Sequence, residues 1–149
     1  MSFLNLSGIE IPTPPSPVGS YVPIIQEGGL AYLAGQDPLK DGKIQYIGKL
    51  GSEFSVEEGY EAAKLCAINL LAVLKAYLGD LARVRRIVKV VGYVNSAPGF
   101  NDQPAVVNGA SDIFVQVFGD NGKHARSAIG VNELPGNIAV EVDLIAAIK

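Results

Sequence analysis

The sequence predicts an α+β fold of two layers, in which two helices cover one face of a mixed β-sheet. The apolar and turn-forming segments follow one another in the order β-β-β-α-β-α-β-β. Hydrophobic residues make up 48% of the 149 residues, which is enough for one buried core and excludes a disordered chain. The first helical segment is apolar around most of its circumference, so a sheet must cover it, and another subunit could cover it as well. We therefore expect a single domain, residues 1–149.

The first third of the chain predicts an extended lead-in and three short strands. Residues 1–16 run into the proline-rich sequence IPTPPSP (11–17) and are typical of an extended segment rather than a linker between domains. In 21–36, two apolar runs flank a Gly-Gly pair, which is typical of a β-hairpin. The segment KDGKIQYIG (40–48) adds a turn and another short strand.

The clearest element is a helix over residues 55–80. Ser55 followed three residues later by Glu58 is the signature of a capping box, and Gly79 is placed to end the helix. Cys66 falls on the broad apolar surface of this helix. We therefore expect its thiol to be buried.

A strand and a second helix follow. In 83–96, apolar residues occupy the even positions, and the other face carries the cations Arg83, Arg85 and Lys89. Residues 103–119 predict the second helix. Gly119 is expected to end it, and Gly109 is a weak point within it because glycine disfavours a helix interior.

Composition and motifs exclude several classes of protein. The formal net charge of −3 supplies no basic field for a polyanion. One cysteine cannot form an internal disulfide, and one histidine with one cysteine cannot build a zinc site of the usual kinds. No run of ~18 apolar residues could span a membrane, and MSFLNLSGIEIPTPP lacks the charged start and apolar core of a signal peptide. Neither a phosphate-binding glycine loop nor a GxSxG elbow occurs. We expect a soluble, cytoplasmic domain.

Two closing strands, at 124–133 and 138–148, carry the residues best suited to chemistry. Alternate side chains of a strand share a face. One face of the first strand therefore carries His124, Arg126, Ala128 and Gly130, and the odd face of the second carries Glu141 and Asp143. We expect one side of this pair to pack into the core while the other displays the histidine, the arginine and a carboxylate. The small residues beside the arginine leave room for an anion, and a guanidinium suits a carboxylate. The alternative is an ordinary solvated polar face.

The segment LPGN (134–137) suggests how the two strands pair. If it forms a tight two-residue hairpin turn, Arg126 faces Ile145 and Glu141 faces Gly130. The two charged side chains would then lie roughly 13 Å apart along the ribbon. They would meet around one small ligand more easily across an interface than within a subunit.

Three segments resemble the same protein family. ARSAIGVNELPGNIAVEVDLIA (125–146) is similar to the C-terminal signature of the Rid (YjgF-type) family. GSYVPIIQEGGLAYLAGQDP (19–38) resembles the family's G-P-Y segment and its S-G-Q-I-P turn. AVVNGASDIF (105–114) resembles the family's Asn-bearing second helix. The resemblance extends over residues 17–148.

This resemblance implies a chorismate-mutase-like fold and a homotrimer with clefts between its subunits. Active members hydrolyse reactive 2-imino acids and their enamine tautomers to 2-keto acids and ammonia, without metal or organic cofactor. By position, Arg126 matches the residue that binds the substrate carboxylate, and Glu141 matches the residue that positions the attacking water. The matching substrate-binding residues are Tyr21, Gly35 and Asn108.

Three features distinguish this chain from the family pattern. His124 stands where the family usually has Pro or Ala, and Ala128 stands where many members have a cysteine. The segment NSAPGFNDQP (95–104) is a few residues longer than in the founding members, and its Phe100 could reshape the pocket. We count these three residues as candidate substrate-binding residues, although His124 could equally be an exposed strand end.

The leading functional hypothesis is therefore a cofactor-independent imine and enamine deaminase. The alternative is a non-catalytic trimer that binds small carboxylates and regulates another process. A third hypothesis, an endoribonuclease or translation inhibitor, is attributed to some relatives. It is disfavoured because cleavage through the 2′-hydroxyl usually needs a paired acid and base, and this acidic chain has one histidine.

Overall fold

The computed structural model describes residues 3–149. The strands of its main sheet are β1 (Ile24–Glu27), β2 (Leu30–Gln36), β5 (Val84–Asn95), β6 (Ala125–Val131) and β7 (Val140–Ile148). A separate two-stranded ribbon consists of β3 (Leu39–Lys40) and β4 (Lys43–Ile44). The helices are α1 (Val56–Leu78) and α2 (Gln103–Phe118). No helix within the described residues is long and apolar enough to cross a membrane.

The five strands lie in the order β1-β2-β7-β5-β6, and both helices pack on one face of this sheet. Strand β6 runs parallel to β5, while the other neighbouring strands are antiparallel. The predicted two-layer α+β fold with a mixed sheet is confirmed. The predicted hairpin between the last two strands is wrong, because β5 lies between β6 and β7.

Helix α1 begins and ends where its sequence signals place it. The hydroxyl of Ser55 accepts a hydrogen bond from the backbone N–H of Glu58, and the Glu58 carboxylate accepts one from the backbone N–H of Ser55. At the other end, Gly79 adopts a φ of 83° and its N–H bonds to the carbonyl of Lys75. Cys66 is fully buried in the middle of the helix, as predicted. Its thiol donates a 3.5 Å hydrogen bond to the carbonyl of Val140, and burial raises its pKa.

Helix α2 meets α1 at Gly109, which was predicted to be a weak point. A Cβ added at Gly109 would overlap the backbone carbonyl of Tyr60 in α1. The missing side chain therefore lets the two helices approach closely, and the propensity cost of glycine is offset by packing. Gly119 ends the helix as predicted.

The lead-in covers the outer surface of the helices. Met1 and Ser2, its first two residues, lie outside the described part of the chain. The N–H of Asn5 bonds to the carbonyl of Val117, and the side chain of Gln116 bonds to the carbonyl of Ser7. Four aliphatic side chains pack against the core from this segment, namely Leu4, Leu6, Ile9 and Ile11. Part of the cover of the helical layer is therefore supplied by its own chain.

Strand β5 departs from the predicted alternation. The register of β5 against β7 shifts twice, between Val84 and Arg86 and between Ile87 and Lys89. Each shift displaces the alternation of inward and outward side chains by one residue. Ile87 is consequently fully buried, although an odd position was predicted to face outward. The alternation is regular from Val90 onward, the stretch that pairs with β6.

The second face of the sheet, opposite the helices, is covered by no helix among residues 3–149. Ile25 in β1, Tyr32 in β2 and Ile129 in β6 lie on it, and these three side chains are 54%, 45% and 43% exposed. We call this surface the open face. Large apolar side chains grouped on one side of a sheet are typical of a surface that another protein covers.

Candidate active site

The two charged candidates, Arg126 and Glu141, lie on opposite faces of the sheet. Arg126 is paired with Val90, and Val90 is paired in turn with Leu144; the last two are buried beneath the helices. Partners across a ladder share a face, so Arg126 points to the helix side. Glu141 has the opposite parity from Leu144 and lies on the open face.

The expectation that both charges share one side of a two-stranded ribbon is therefore wrong. The physical reason is that β6 pairs with β5 in parallel rather than with β7. Arg126 and Glu141 are separated by two strand spacings and three residues along the sheet, so their α-carbons lie roughly 14 Å apart. Within one chain the sheet itself stands between their side chains.

Helix α2 holds the guanidinium of Arg126. Its Nη1 donates to Oδ1 of Asn108 at 2.8 Å and to Oγ of Ser111 at 3.1 Å, and Nη2 lies 3.4 Å from the carbonyl of Pro104. These three acceptors are four and three residues apart, so they line one stripe of the helix. No carboxylate among residues 3–149 forms an ion pair with Arg126. The guanidinium is fixed in place and its charge has no protein counterion in this part of the chain.

His124 is linked to this guanidinium through the hydroxyl of Ser111. Its Nδ1 is 2.6 Å from the carbonyl of Gly122, and its Nε2 is 2.9 Å from Oγ of Ser111. A carbonyl can only accept, so Nδ1 carries the proton and Nε2 accepts from the Ser111 hydroxyl. We call Asn108, Ser111, His124 and Arg126 the arginine cluster.

The surroundings of His124 favour the neutral form of its imidazole. Burial lowers its pKa below the ordinary value of 6.5, the Gly122 hydrogen bond partly opposes this effect, and the nearby charge of Arg126 adds a smaller lowering. The ring also packs edge-to-face against Phe114, with centroids 5.9 Å apart. Ser111, which links His124 to Arg126, was missed by the sequence analysis. Its spacing of three residues from Asn108 on one helix was the available signal.

A cavity of about 550 Å³ surrounds Glu141 on the opposite side of the molecule. We call it the carboxylate cavity; the lining residues that matter here are Pro15, Val18, Tyr21, Gly35, Asp37 and Glu141. A Cβ on Gly35 would collide with Oε2 of Glu141. The Glu141 carboxylate therefore lies against the bare backbone of Gly35, and a side chain at position 35 would displace it.

Asp37, a second carboxylate, lines the same cavity and was also missed. Burial raises the pKa of Asp37. Burial also raises the pKa of Glu141, and the negative charges of Asp37 and Asp143 raise it further. The available signal was the turn GQDP, because Asp37 stands where the S-G-Q-I-P turn of the family has isoleucine. Asp143 differs from these two in accepting a 3.0 Å hydrogen bond from the hydroxyl of Tyr93.

The remaining candidates lie outside the carboxylate cavity. Ala128 is on the same strand face as Arg126, two residues further along β6, and packs against the core. The ring of Phe100 contacts Gly51, and its carbonyl accepts from the side chain of Gln103. The structure thus groups Tyr21, Gly35 and Glu141 in one place and Asn108, His124 and Arg126 in another (Ala128 adjoins the second group). The contacts of Phe100 described above are with Gly51 and Gln103, which belong to neither group.

No three histidine, cysteine, aspartate or glutamate side chains within residues 3–149 are gathered closely enough to hold a metal ion. What the two groups offer chemically is a fixed cation for an anionic ligand and a pair of carboxyl groups for proton transfer.

Comparison with known proteins identifies the family. The family described as "YjgF/chorismate_mutase-like, putative endoribonuclease" matches residues 1–148. Protein TCP17 of Trypanosoma cruzi is 42% identical over 147 residues, 98% of this chain and 92% of that protein. A 2-iminobutanoate/2-iminopropanoate deaminase of Dermatophagoides farinae is 30% identical over 142 residues, 95% of each. The crystal structure of Atu1372, of unknown function, from Agrobacterium tumefaciens has a TM-score of 0.91 at 42% identity, covering 96% of this chain and 88% of that one. This chain therefore belongs to the YjgF (Rid) family and has its chorismate mutase-like fold.

Proposed function

We propose that this protein hydrolyses reactive 2-imino acids and their enamine tautomers to 2-keto acids and ammonia, in clefts between the subunits of a homotrimer. The observation that carries the proposal is the division of the candidate residues into two groups. Among residues 3–149, the arginine cluster has a fixed cation without a counterion, and the carboxylate cavity has carboxylates without a cation. The relative from Dermatophagoides farinae, which is named as a deaminase, supports the same reaction.

The arginine cluster and the carboxylate cavity can form one site only if they come from different copies of the chain. Arg126 lies on β6, which is the edge strand of the sheet, while Glu141 is on the open face. If the edge of one subunit packs against the open face of the next, the arginine cluster approaches the neighbour's carboxylate cavity. Such packing would also bury the exposed side chains of Tyr32 and Ile129. Three such contacts close a ring.

Each residue then has a defined role in the reaction. An imine carbon is already electrophilic, so the enzyme must mainly orient the substrate and manage protons. Arg126 binds the substrate carboxylate, and Glu141 orients and deprotonates the attacking water. Tyr21 contributes a phenol to the wall of the cavity. Asn108 holds the guanidinium through its side-chain oxygen.

His124 has a positioning role in this proposal. It fixes the Ser111 hydroxyl, so that the oxygen of that hydroxyl presents a lone pair to Nη1 of Arg126. The histidine therefore acts on the substrate carboxylate through the serine and the arginine. It does not need to contact the substrate.

The first test measures ammonia release from freshly generated 2-aminoacrylate and from bulkier 2-imino acids. The imines are made in situ by an amino-acid oxidase or a dehydratase. We expect the wild-type protein to accelerate hydrolysis and Arg126→Ala to lose about 3 kcal/mol of transition-state stabilisation, on the order of a hundredfold. The matched control is Arg85→Ala, an arginine that is exposed on β5, and we expect it to keep full activity.

The same measurement separates the enzyme from a binding protein. A folded trimer that binds 2-keto acids through Arg126 without accelerating the hydrolysis of any imine would disprove the deaminase proposal. It would leave the alternative, a trimer that binds small carboxylates.

A further inference from the structure

We propose that Asp37 is a second catalytic carboxylate of the carboxylate cavity, and that it shares one proton with Glu141 to act on the protonated iminium form of the substrate. This inference rests on the proposed deaminase function. It adds to that function a second catalytic residue, the number of protons on the carboxylate pair and the charge of the substrate.

The end of strand β2 brings the two carboxylates into the same cavity. Gln36, the last residue of β2, is paired with Val142 of β7 in antiparallel orientation. Continuing this pairing by one residue beyond the end of β2 would set Asp37 opposite Glu141, and residues opposite one another on a ladder have Cβ atoms about 5 Å apart. Both residues line the same cavity, and both side chains are half-buried. The bare backbone of Gly35 gives the Glu141 carboxylate the space to lie there.

No cation of the described chain neutralises this pair. No lysine, arginine or histidine lines the cavity, and neither Asp37 nor Glu141 forms an ion pair or a side-chain hydrogen bond within residues 3–149. The other titratable groups near the pair are Tyr21 in the cavity wall and Asp143 and Tyr93 on the sheet, while the thiol of Cys66 is buried in α1. None of them supplies a positive charge.

Two adjacent carboxylates without a cation cannot both ionise readily. Like charges directly opposite one another on a ladder are destabilising, and the usual outcome is that the pair retains one proton. Burial raises the pKa of both groups, and the charge of Asp37 raises that of Glu141 further. The pair then carries one negative charge, which balances the positive nitrogen of an iminium ion while Arg126 balances the substrate carboxylate.

A pair with one proton contains both the base and the acid that imine hydrolysis needs. Water oxygen bonds to C2 of the iminium ion, the π electrons of C=N move to nitrogen, and a water proton passes to the ionised carboxylate. In the resulting carbinolamine, the amine takes a proton from one carboxylic acid. The C–N bond then breaks as C=O forms, and the hydroxyl proton returns to the pair. Ammonia leaves with one proton as ammonium, and the pair again holds a single proton.

The kinetic test compares Asp37→Asn with Asp41→Asn on a substrate that the wild-type protein hydrolyses. Asp41 is exposed in the turn between β3 and β4, and its φ of 52° suits asparagine, so it is a matched control. We expect Asp37→Asn to lower kcat about a hundredfold with little change in KM, because one partner of the proton transfer is lost. Asp41→Asn should leave both parameters unchanged. An unchanged kcat in a folded Asp37→Asn variant would overturn the inference and leave the deaminase function standing.

A binding test keeps the inference independent of turnover. The probes are 2-aminobutanoate, which has a cationic nitrogen, and 2-hydroxybutanoate, which does not. We expect the wild-type protein to bind the amino acid more tightly, and Glu141→Gln to keep this preference because the remaining Asp37 is ionised. The double variant Asp37→Asn/Glu141→Gln should lose the preference. If Glu141→Gln alone abolishes it, Asp37 does not face the ligand and the inference is wrong. If the wild-type protein hydrolyses no imine, it is the proposed function that fails.

Discussion

The only histidine stands two residues before the arginine because both side chains turn toward the same helix. His124 and Arg126 have the same parity at the start of β6, and Ser111 of α2 lies between them. The Gly122 carbonyl sets the tautomer of the ring, and the ring sets the direction of the serine hydroxyl. This chain of hydrogen bonds defines one position for the guanidinium. A neutral imidazole suits that task, because a second positive charge beside Arg126 would repel it.

Acidification should reduce the contribution of the neutral His124 ring to the stability of the fold. Because the pKa of His124 is lower in the folded than in the unfolded protein, the unfolded state binds more protons as the pH falls through 6.5. The contribution of the neutral ring to stability is therefore present above pH 6.5 and is lost progressively below it. We expect the melting temperature to fall more between pH 7.5 and 5.5 in the wild-type protein than in His124→Gln.

The comparison with His124→Gln is needed because other groups titrate in the opposite sense. The raised pKa values of Asp37, Glu141 and Asp143 add stability as the pH falls. They are present in both proteins, so the difference between the two melting curves isolates the histidine. An equal change in melting temperature in both proteins would contradict a half-buried imidazole that favours its neutral form.

At the scale of elements, the close contact between the two helices is set by one glycine. Helices α1 and α2 meet where Gly109 lies on the carbonyl of Tyr60, and a side chain there has no room. The neighbouring residue Asn108 holds Arg126. The distance between the two helices at Gly109 therefore also determines how far the arginine cluster lies from the sheet.

Gly109→Ala should destabilise the protein although alanine is the better helix former. Helix propensity alone predicts a gain of about 1 kcal/mol, whereas forcing the helices apart costs about 1–3 kcal/mol or more. We expect a net loss in the free energy of unfolding, measured by denaturant titration. Gly29→Ala is the control, because nothing lies within 4 Å of a Cβ there. A Gly109→Ala variant as stable as this control would show that the helix contact is looser than described.

Local signals predicted the helices well, and non-local pairing explains what the sequence could not show. The capping box at Ser55 and Glu58 and the stop at Gly79 depend on residues close in sequence, and the structure confirms them. The hairpin proposed at LPGN depended on which strand lies beside β6, and that strand is 35 or more residues earlier in the chain. Parity predicted the face of Arg126 relative to its own strand but could not relate that face to Glu141 in another strand. Asp37 was missed for the same reason, since it reaches the cavity of Glu141 only because β2 pairs with the distant strand β7.

At the scale of the whole molecule, the sheet separates the two halves of the candidate site. One face is covered by the helices and carries the arginine cluster at its edge, and the open face carries the carboxylate cavity. The lead-in contributes to both regions, because its first part packs on the helices and Pro15 to Val18 form a wall of the cavity. A single chain thus contains both groups of residues that the proposed reaction requires, on opposite faces of its sheet.

The most direct measurement is the activity of trimers that contain both Arg126→Ala and Glu141→Gln subunits. Each variant alone should be inactive. If each cleft takes Arg126 from one subunit and Glu141 from the next, random mixing of equal amounts restores both residues in roughly one quarter of the clefts. We predict that co-expressed or co-refolded mixtures recover about a quarter of the wild-type rate of imine hydrolysis. A mixture that forms hybrid trimers and stays as inactive as its two parents would contradict a site shared between subunits.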